Sequence, residues 1–111
     1  MSRDYKVYLD DILEAIAWIR IYTTGITYDS FQDDRKTVDA VVRNLEIVGE
    51  AVKRIPERIR GQHPDIDWKK IAGLRDILIH TYFGIDLELI WDILQTKLAP
   101  LEERVNQMLS E

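Results

Sequence analysis

Apolar residues recur in alternating steps of three and four along most of the chain, the spacing that lines up one face of an α-helix. Tyr5, Tyr8, Ile12, Ala15, Ile19 and Tyr22 form the first such stripe. Asp4 or Ser2 can cap its start, and Gly25 lies beyond its end. Val38, Val41, Leu45, Val48, Val52 and Ile55 form a second, cleaner stripe that Pro56 ends. It predicts a long helix from about Ser30 to Ile55 in the nearly straight geometry of a bundle. Gly49 inside that helix costs about 1 kcal/mol relative to Ala, so its presence predicts a neighbouring backbone packed close against it.

Residues 56–66 hold two prolines and a glycine and read as a connecting loop. A third helix is expected from an Asp67 cap through Trp68 and Ile71 to Tyr82 and Phe83, with Gly84 as its stop. Asp86 can cap a fourth, striped by Ile90, Leu94, Leu98, Leu101, Val105 and Met108. Pro100 interrupts this last stripe and predicts either a kink or two consecutive helices. No alternating strand pattern and no internal repeat competes with these elements. The expected fold is therefore all-α, an antiparallel up-and-down bundle of four to five helices forming one domain over residues 1–111.

Length agrees, since 111 residues suffice for one hydrophobic core. No apolar run is long enough to span a membrane, and no charged-then-apolar leader is visible. The absence of cysteine excludes a disulfide framework, a thiolate zinc site and a cysteine nucleophile. It fits a reducing compartment, and a cytoplasmic location is expected. A net charge of −5 argues at first against a nucleic-acid partner. The average conceals an asymmetry. From Lys53 to Arg75 seven basic side chains face three acidic ones, a net +4, which leaves −9 for the remainder.

That basic stretch runs into Gly73-Leu74-Arg75-Asp76-Ile77-Leu78-Ile79-His80-Thr81-Tyr82. At about 100° per residue Arg75 falls roughly 40° from Ile71, inside the arc defined by Ile71, Leu74 and Leu78. A guanidinium stays charged, so an arginine there needs an anionic partner, Glu46 or Glu50, or an interface that keeps it wet. Asp76 and His80 are four apart and can meet, the carboxylate orienting the imidazole and favouring its protonated form. Together Arg75 and His80 point to RNA cleavage. The histidine can take the 2′-hydroxyl proton while the arginine neutralises charge on the phosphate. One imidazole per chain leaves the leaving oxygen without an acid, which a two-fold dimer would supply. No second histidine or carboxylate pair stands at metal-ligand spacing around His80, so no metal is expected. His63, in the loop before Pro64, reads as a surface residue. Lys53, Arg54, Lys69 and Lys70 are the candidate RNA contacts.

Arg75 to Tyr82 match an R-x4-H-x-Y signature, preceded by the blocks Arg43-Asn44-Leu45-Glu46-Ile47-Val48-Gly49-Glu50-Ala51 and Trp68-Lys69-Lys70-Ile71-Ala72-Gly73-Leu74. On these three blocks in order, the chain resembles the HepT-like toxins of the HEPN superfamily. The resemblance covers essentially the whole chain. It implies a HEPN-like two-fold dimer acting as a metal-independent endoribonuclease, with Arg75 and His80 of both subunits lining an interface cleft. It also implies the toxin role in a type VII toxin–antitoxin system and a cognate nucleotidyltransferase antitoxin of the MntA type, which transfers AMP from ATP to Tyr82. No cofactor of the chain's own is implied. Asp76 stands where relatives often carry asparagine or another polar residue. Two other readings are compatible with the residues. One is a non-catalytic HEPN partner that binds nucleotide or scaffolds a nucleotidyltransferase, with Arg75 on a phosphate; the other is a structural bundle with an internal Arg75–Glu50 bridge.

Overall fold

A computed structural model describes residues 4–78 and 86–111, and all regular structure among them is helical. Helix α1 spans Tyr5–Thr23, capped by Asp4, whose carboxylate accepts the Lys6 N–H at 3.0 Å. The chain then turns through Gly25 at φ 76°, a left-handed conformation that glycine adopts without a Cβ clash. Helix α2, Tyr28–Asp33, starts from a reciprocal capping box between Thr27 and Ser30. Helix α3, Arg35–Arg54, follows after a single residue.

The single helix expected from Ser30 to Ile55 is therefore two helices that meet at Asp34. At φ −111° and ψ 83° this residue leaves helical geometry, and its side chain accepts from both the N–H and the hydroxyl of Thr37. These two bonds hold its carboxyl below the usual carboxylate range. An aspartate that caps cannot also continue a helix.

Pro56 ends the second stripe as expected, but the connection to residue 66 contains one helical turn, α4, Glu57–Arg60. Helix α5, Trp68–Ala72, starts at the Asp67 cap. Gly73, at ψ 0°, breaks the expected third helix, and residues 74–78 resume helical structure as α6. Its expected end at Tyr82, Phe83 and Gly84 lies outside the described residues. Helix α7, Leu87–Thr96, is capped by Asp86, and α8 covers Leu98–Leu109. Of the two outcomes expected near Pro100, consecutive helices is the one found, and the break sits three residues upstream at Lys97. There the turn precedes the point where the proline ring would strike the carbonyl of Thr96. Pro100 itself falls in the first turn of α8, where its missing N–H deprives the helix of little.

Helix α1 packs along α3, and α8 lies against α1 while α5 lies against α3. Leu9, Ile12, Ile16 and Ile19 of α1 meet Val41, Leu45, Val48 and Val52 of α3 in the core, joined by Leu101, Val105 and Met108 of α8. Phe31 closes one end against Trp91, ring centroids 5.2 Å apart. The core side of α1 is thus rotated from the stripe read in the sequence. Tyr5 and Tyr8 are only partly covered, and Tyr22 is exposed.

His63 is also not where it was expected. Its side chain is buried, with Nε2 3.6 Å from a Glu111 carboxylate oxygen. The loop is drawn inward because the buried Trp68 indole needs an acceptor and donates to the His63 carbonyl at 2.9 Å. Arg104 bonds Asp65 across the same end of the bundle and holds that carboxyl below its ordinary range. No described helix is long and apolar enough to cross a membrane.

Candidate active-site groove

Leu74 and Leu78 of α6 are buried in the core, which fixes the short helix and turns Arg75 outward. The α5–α6 junction sits close on α3 because Gly49 has no side chain. A Cβ there would stand 3.2 Å from the Ile71 carbonyl oxygen, 3.5 Å from Leu74 Cβ and 3.7 Å from the Arg75 nitrogen. The close backbone approach that Gly49 predicts is thus present, and it delivers Arg75.

Beside Arg75 opens a groove of about 580 Å³ between α1, α3 and α6. Helix α3 forms one wall with Arg43, Glu46, Ile47, Glu50, Ala51 and Arg54, residues at helical spacing along one face. Tyr8 and Asp11 of α1 form the other. Three guanidinium groups and three carboxylates therefore line it. Arg43 lies 3.9 Å from Glu46, and Arg75 Nη1 lies 3.4 Å from Glu50 Oε1.

The arginine expected within an apolar arc thus has the anionic partner that arc required, yet its side chain is 53% exposed. A bridge that open is not a buried structural pair. Among the described residues it engages one Arg75 N–H donor with one oxygen, so the guanidinium fork remains free to grip a phosphate through two parallel bonds.

The other sequence-derived candidates divide. Arg54 lines the groove, while Lys53 stands at its edge, 3.6 Å from Glu50. Lys69 and Lys70 are exposed on α5 and Asp76 on α6, and none of the three lines the groove. His80 and Tyr82 lie outside the described residues. Arg43, Tyr8 and Asp11 were not among the site residues expected from sequence. Arg43 had a signal, because it precedes Glu46, Glu50 and Arg54 at steps of three and four along a charged face next to the apolar stripe of α3. Among the described residues no group of three or more His, Asp or Glu is placed to hold a metal ion.

The ribonuclease HepT-like family model matches residues 12–108, which include the α3 wall of the groove, Arg75 and the rest of the signature. The chain belongs to this family. Its activity class is accordingly that of a ribonuclease. A protein named as an RNase in Methanocaldococcus jannaschii is 42% identical over 110 residues, covering 99% of this chain and 91% of its own. One named as a ribonuclease HepT in Thermococcus cleftensis is 42% identical over 108 residues, covering 97% of this chain and 98% of its own. A third, from M. jannaschii, is named as both a gamma-glutamylcyclotransferase and an RNase. It is 41% identical over all 111 residues, but the chain spans only 50% of its length. No solved structure matches the chain.

Proposed function

We propose that this HepT-like ribonuclease is a single-domain endoribonuclease that cuts RNA without a metal, as the toxin of a type VII toxin–antitoxin system in the cytoplasm. The observation that carries the reading is Arg75 itself. The signature arginine opens half-exposed into a groove it shares with Arg43 and Arg54, one of its N–H donors engaged and its fork available. In the proposed reaction His80 takes the proton of a ribose 2′-hydroxyl and the freed oxygen attacks the adjacent phosphorus. The bond to the 5′-oxygen breaks, and that oxygen leaves with a proton from the second imidazole of a two-fold dimer, giving a 2′,3′-cyclic phosphate. Arg75 neutralises the charge that builds on the phosphate, and Asp76 supports His80. Arg54 extends the phosphate track within the groove, Lys69 and Lys70 contact the strand beyond it, and Lys53 adds positive charge at the groove's edge beside Glu50.

A second copy is supported by α1, where Trp18, Ile21 and Tyr22 are 44%, 64% and 38% exposed and the Trp18 and Tyr22 rings stack at 5.9 Å. Exposed apolar clusters of this kind mark association surfaces. The purified chain should cut RNA in the presence of EDTA and leave cyclic phosphate ends, and His80→Ala should abolish cutting without changing its size in solution. Cleavage that EDTA stops, or an active His80→Ala protein, would sink the mechanism.

Control by a nucleotidyltransferase of the MntA type rests on the motif tyrosine. The Tyr82 oxygen would attack the α-phosphorus of ATP, losing its proton as pyrophosphate leaves, and the resulting phosphodiester charge seven residues from Arg75 would compete with RNA. Tyr82→Phe should take up no AMP in the presence of such a partner and should stay active as a nuclease. Labelling at the parental stoichiometry would move the acceptor elsewhere.

A further inference from the structure

The cleavage chemistry gives no task to Glu50, the groove carboxylate paired with Arg75. Its carboxylate faces the arginine that would receive a phosphate, so one anion already stands where another must bind. Glu50 Oε1 is 3.4 Å from Arg75 Nη1 and 3.6 Å from Lys53 Nζ. Closed charge-assisted hydrogen bonds run about 2.7–2.9 Å, so this oxygen sits between two cations and is closed on neither. The Glu50 and Lys53 side chains are each 42% exposed. None of the three charges is paired because burial demands it, and each is free to turn in place.

We propose that Glu50 is a stand-in anion. It holds Arg75 in the empty groove and passes to Lys53 when an RNA phosphate takes the guanidinium. The inference rests on the reading that Arg75 meets phosphate. Two anions on one half-exposed guanidinium repel each other, and the carboxylate has somewhere to go. Lys53 lies one turn further along the same helix and shares the same oxygen, so the hand-over needs side-chain rotation alone. Lys53 then acts on RNA binding through Glu50, by removing a negative charge from the phosphate's side. The roles differ from direct contact in a way that binding can read. With Glu50 present, Lys53 helps the phosphate; with Glu50 neutralised, it has nothing left to accept.

The test measures the dissociation constant of a 2′-O-methyl oligoribonucleotide, which the proposed chemistry cannot cut, beside the cleavage of the unmodified strand. Glu50→Gln should bind roughly two- to five-fold tighter than the parent chain, the scale of one exposed ion pair. KM should fall by the same factor at unchanged kcat. Lys53→Met should bind weaker by a similar factor, and Glu50→Gln combined with Lys53→Met should match Glu50→Gln alone. All three variants should melt with the parent chain. Unchanged or weaker binding by Glu50→Gln overturns the inference. So does a Lys53→Met loss that persists in the double variant, since Lys53 would then touch phosphate directly. A parent chain that binds the inert strand but never cuts the unmodified one instead defeats the nuclease reading, while the binding series still decides the hand-over.

Discussion

Arg75→Lys is expected to lose RNA cleavage by about 10²–10³, the cost of removing one donor aimed at charge that develops in a transition state. Charge alone does not rescue the position. A lysine ammonium is a point charge, whereas the guanidinium offers a planar fork that matches two phosphate oxygens at once. Arg75→Ala should fall at least as far. Neither change should matter much to folding, because the side chain is 53% exposed and its pair with Glu50, at 3.4 Å, is an open surface pair. Such pairs contribute about 0–1 kcal/mol. Single-turnover cleavage and a denaturant titration on the same preparations separate the two roles. An arginine that merely braced the bundle would lose stability and activity together, and a parental rate for Arg75→Lys would remove it from the chemistry.

Gly49→Val should damage the site from a distance. The glycine is buried, and a Cβ there would already lie 3.2 Å from the Ile71 carbonyl oxygen, tighter than ordinary van der Waals contact. Two further methyl groups would press on the α5–α6 junction, where Leu74 Cβ and the Arg75 nitrogen come next. Overpacking of this kind costs about 1–3 kcal/mol, and the better helix propensity of valine offsets only a few tenths of that. The expected result is a destabilised chain that loses roughly 10²-fold in cleavage, since a displacement near 1 Å at a reacting group is worth about that much. Gly49→Ala should be milder in both respects. A Gly49→Val protein with parental stability and rate would show that α3 and α6 do not depend on this approach.

Gly49 is also the clearest case of structure legible in sequence. A glycine in the middle of a strong helical stripe has a cost, and the cost pointed to a close neighbour that is there. The aspartate caps were legible for the same local reason, at Asp4, Asp67 and Asp86. Other features depended on competition between local signals. Asp34 lies within the register of the second stripe, and only its bonds to Thr37 make it an ending for α2 and a beginning for α3. Pro100 marked an interruption but not its place, because a proline inside the first turn moves the break upstream. The apolar arc assigned to Arg75 assumed an unbroken helix from Ile71, and Gly73 resets the phase before the arginine is reached. His63 appeared superficial because nothing in its own segment shows that the Trp68 indole will need its carbonyl. Of the candidate site, the signature spelled out Arg75, while the company of Arg43 and Arg54 across the groove is a property of how α3 lies against α6.

The three tryptophans give the chain a natural division of optical labour. Trp68 is buried beside the loop that leads into α5, Trp91 is partly covered against Phe31 and Tyr28, and Trp18 stands in water on α1. Indole emission shifts with the polarity around the ring, so each reports a different event in its own colour. Unfolding reddens Trp68, whereas burial of the α1 face against another surface would turn Trp18 towards the blue while leaving Trp68 unaltered.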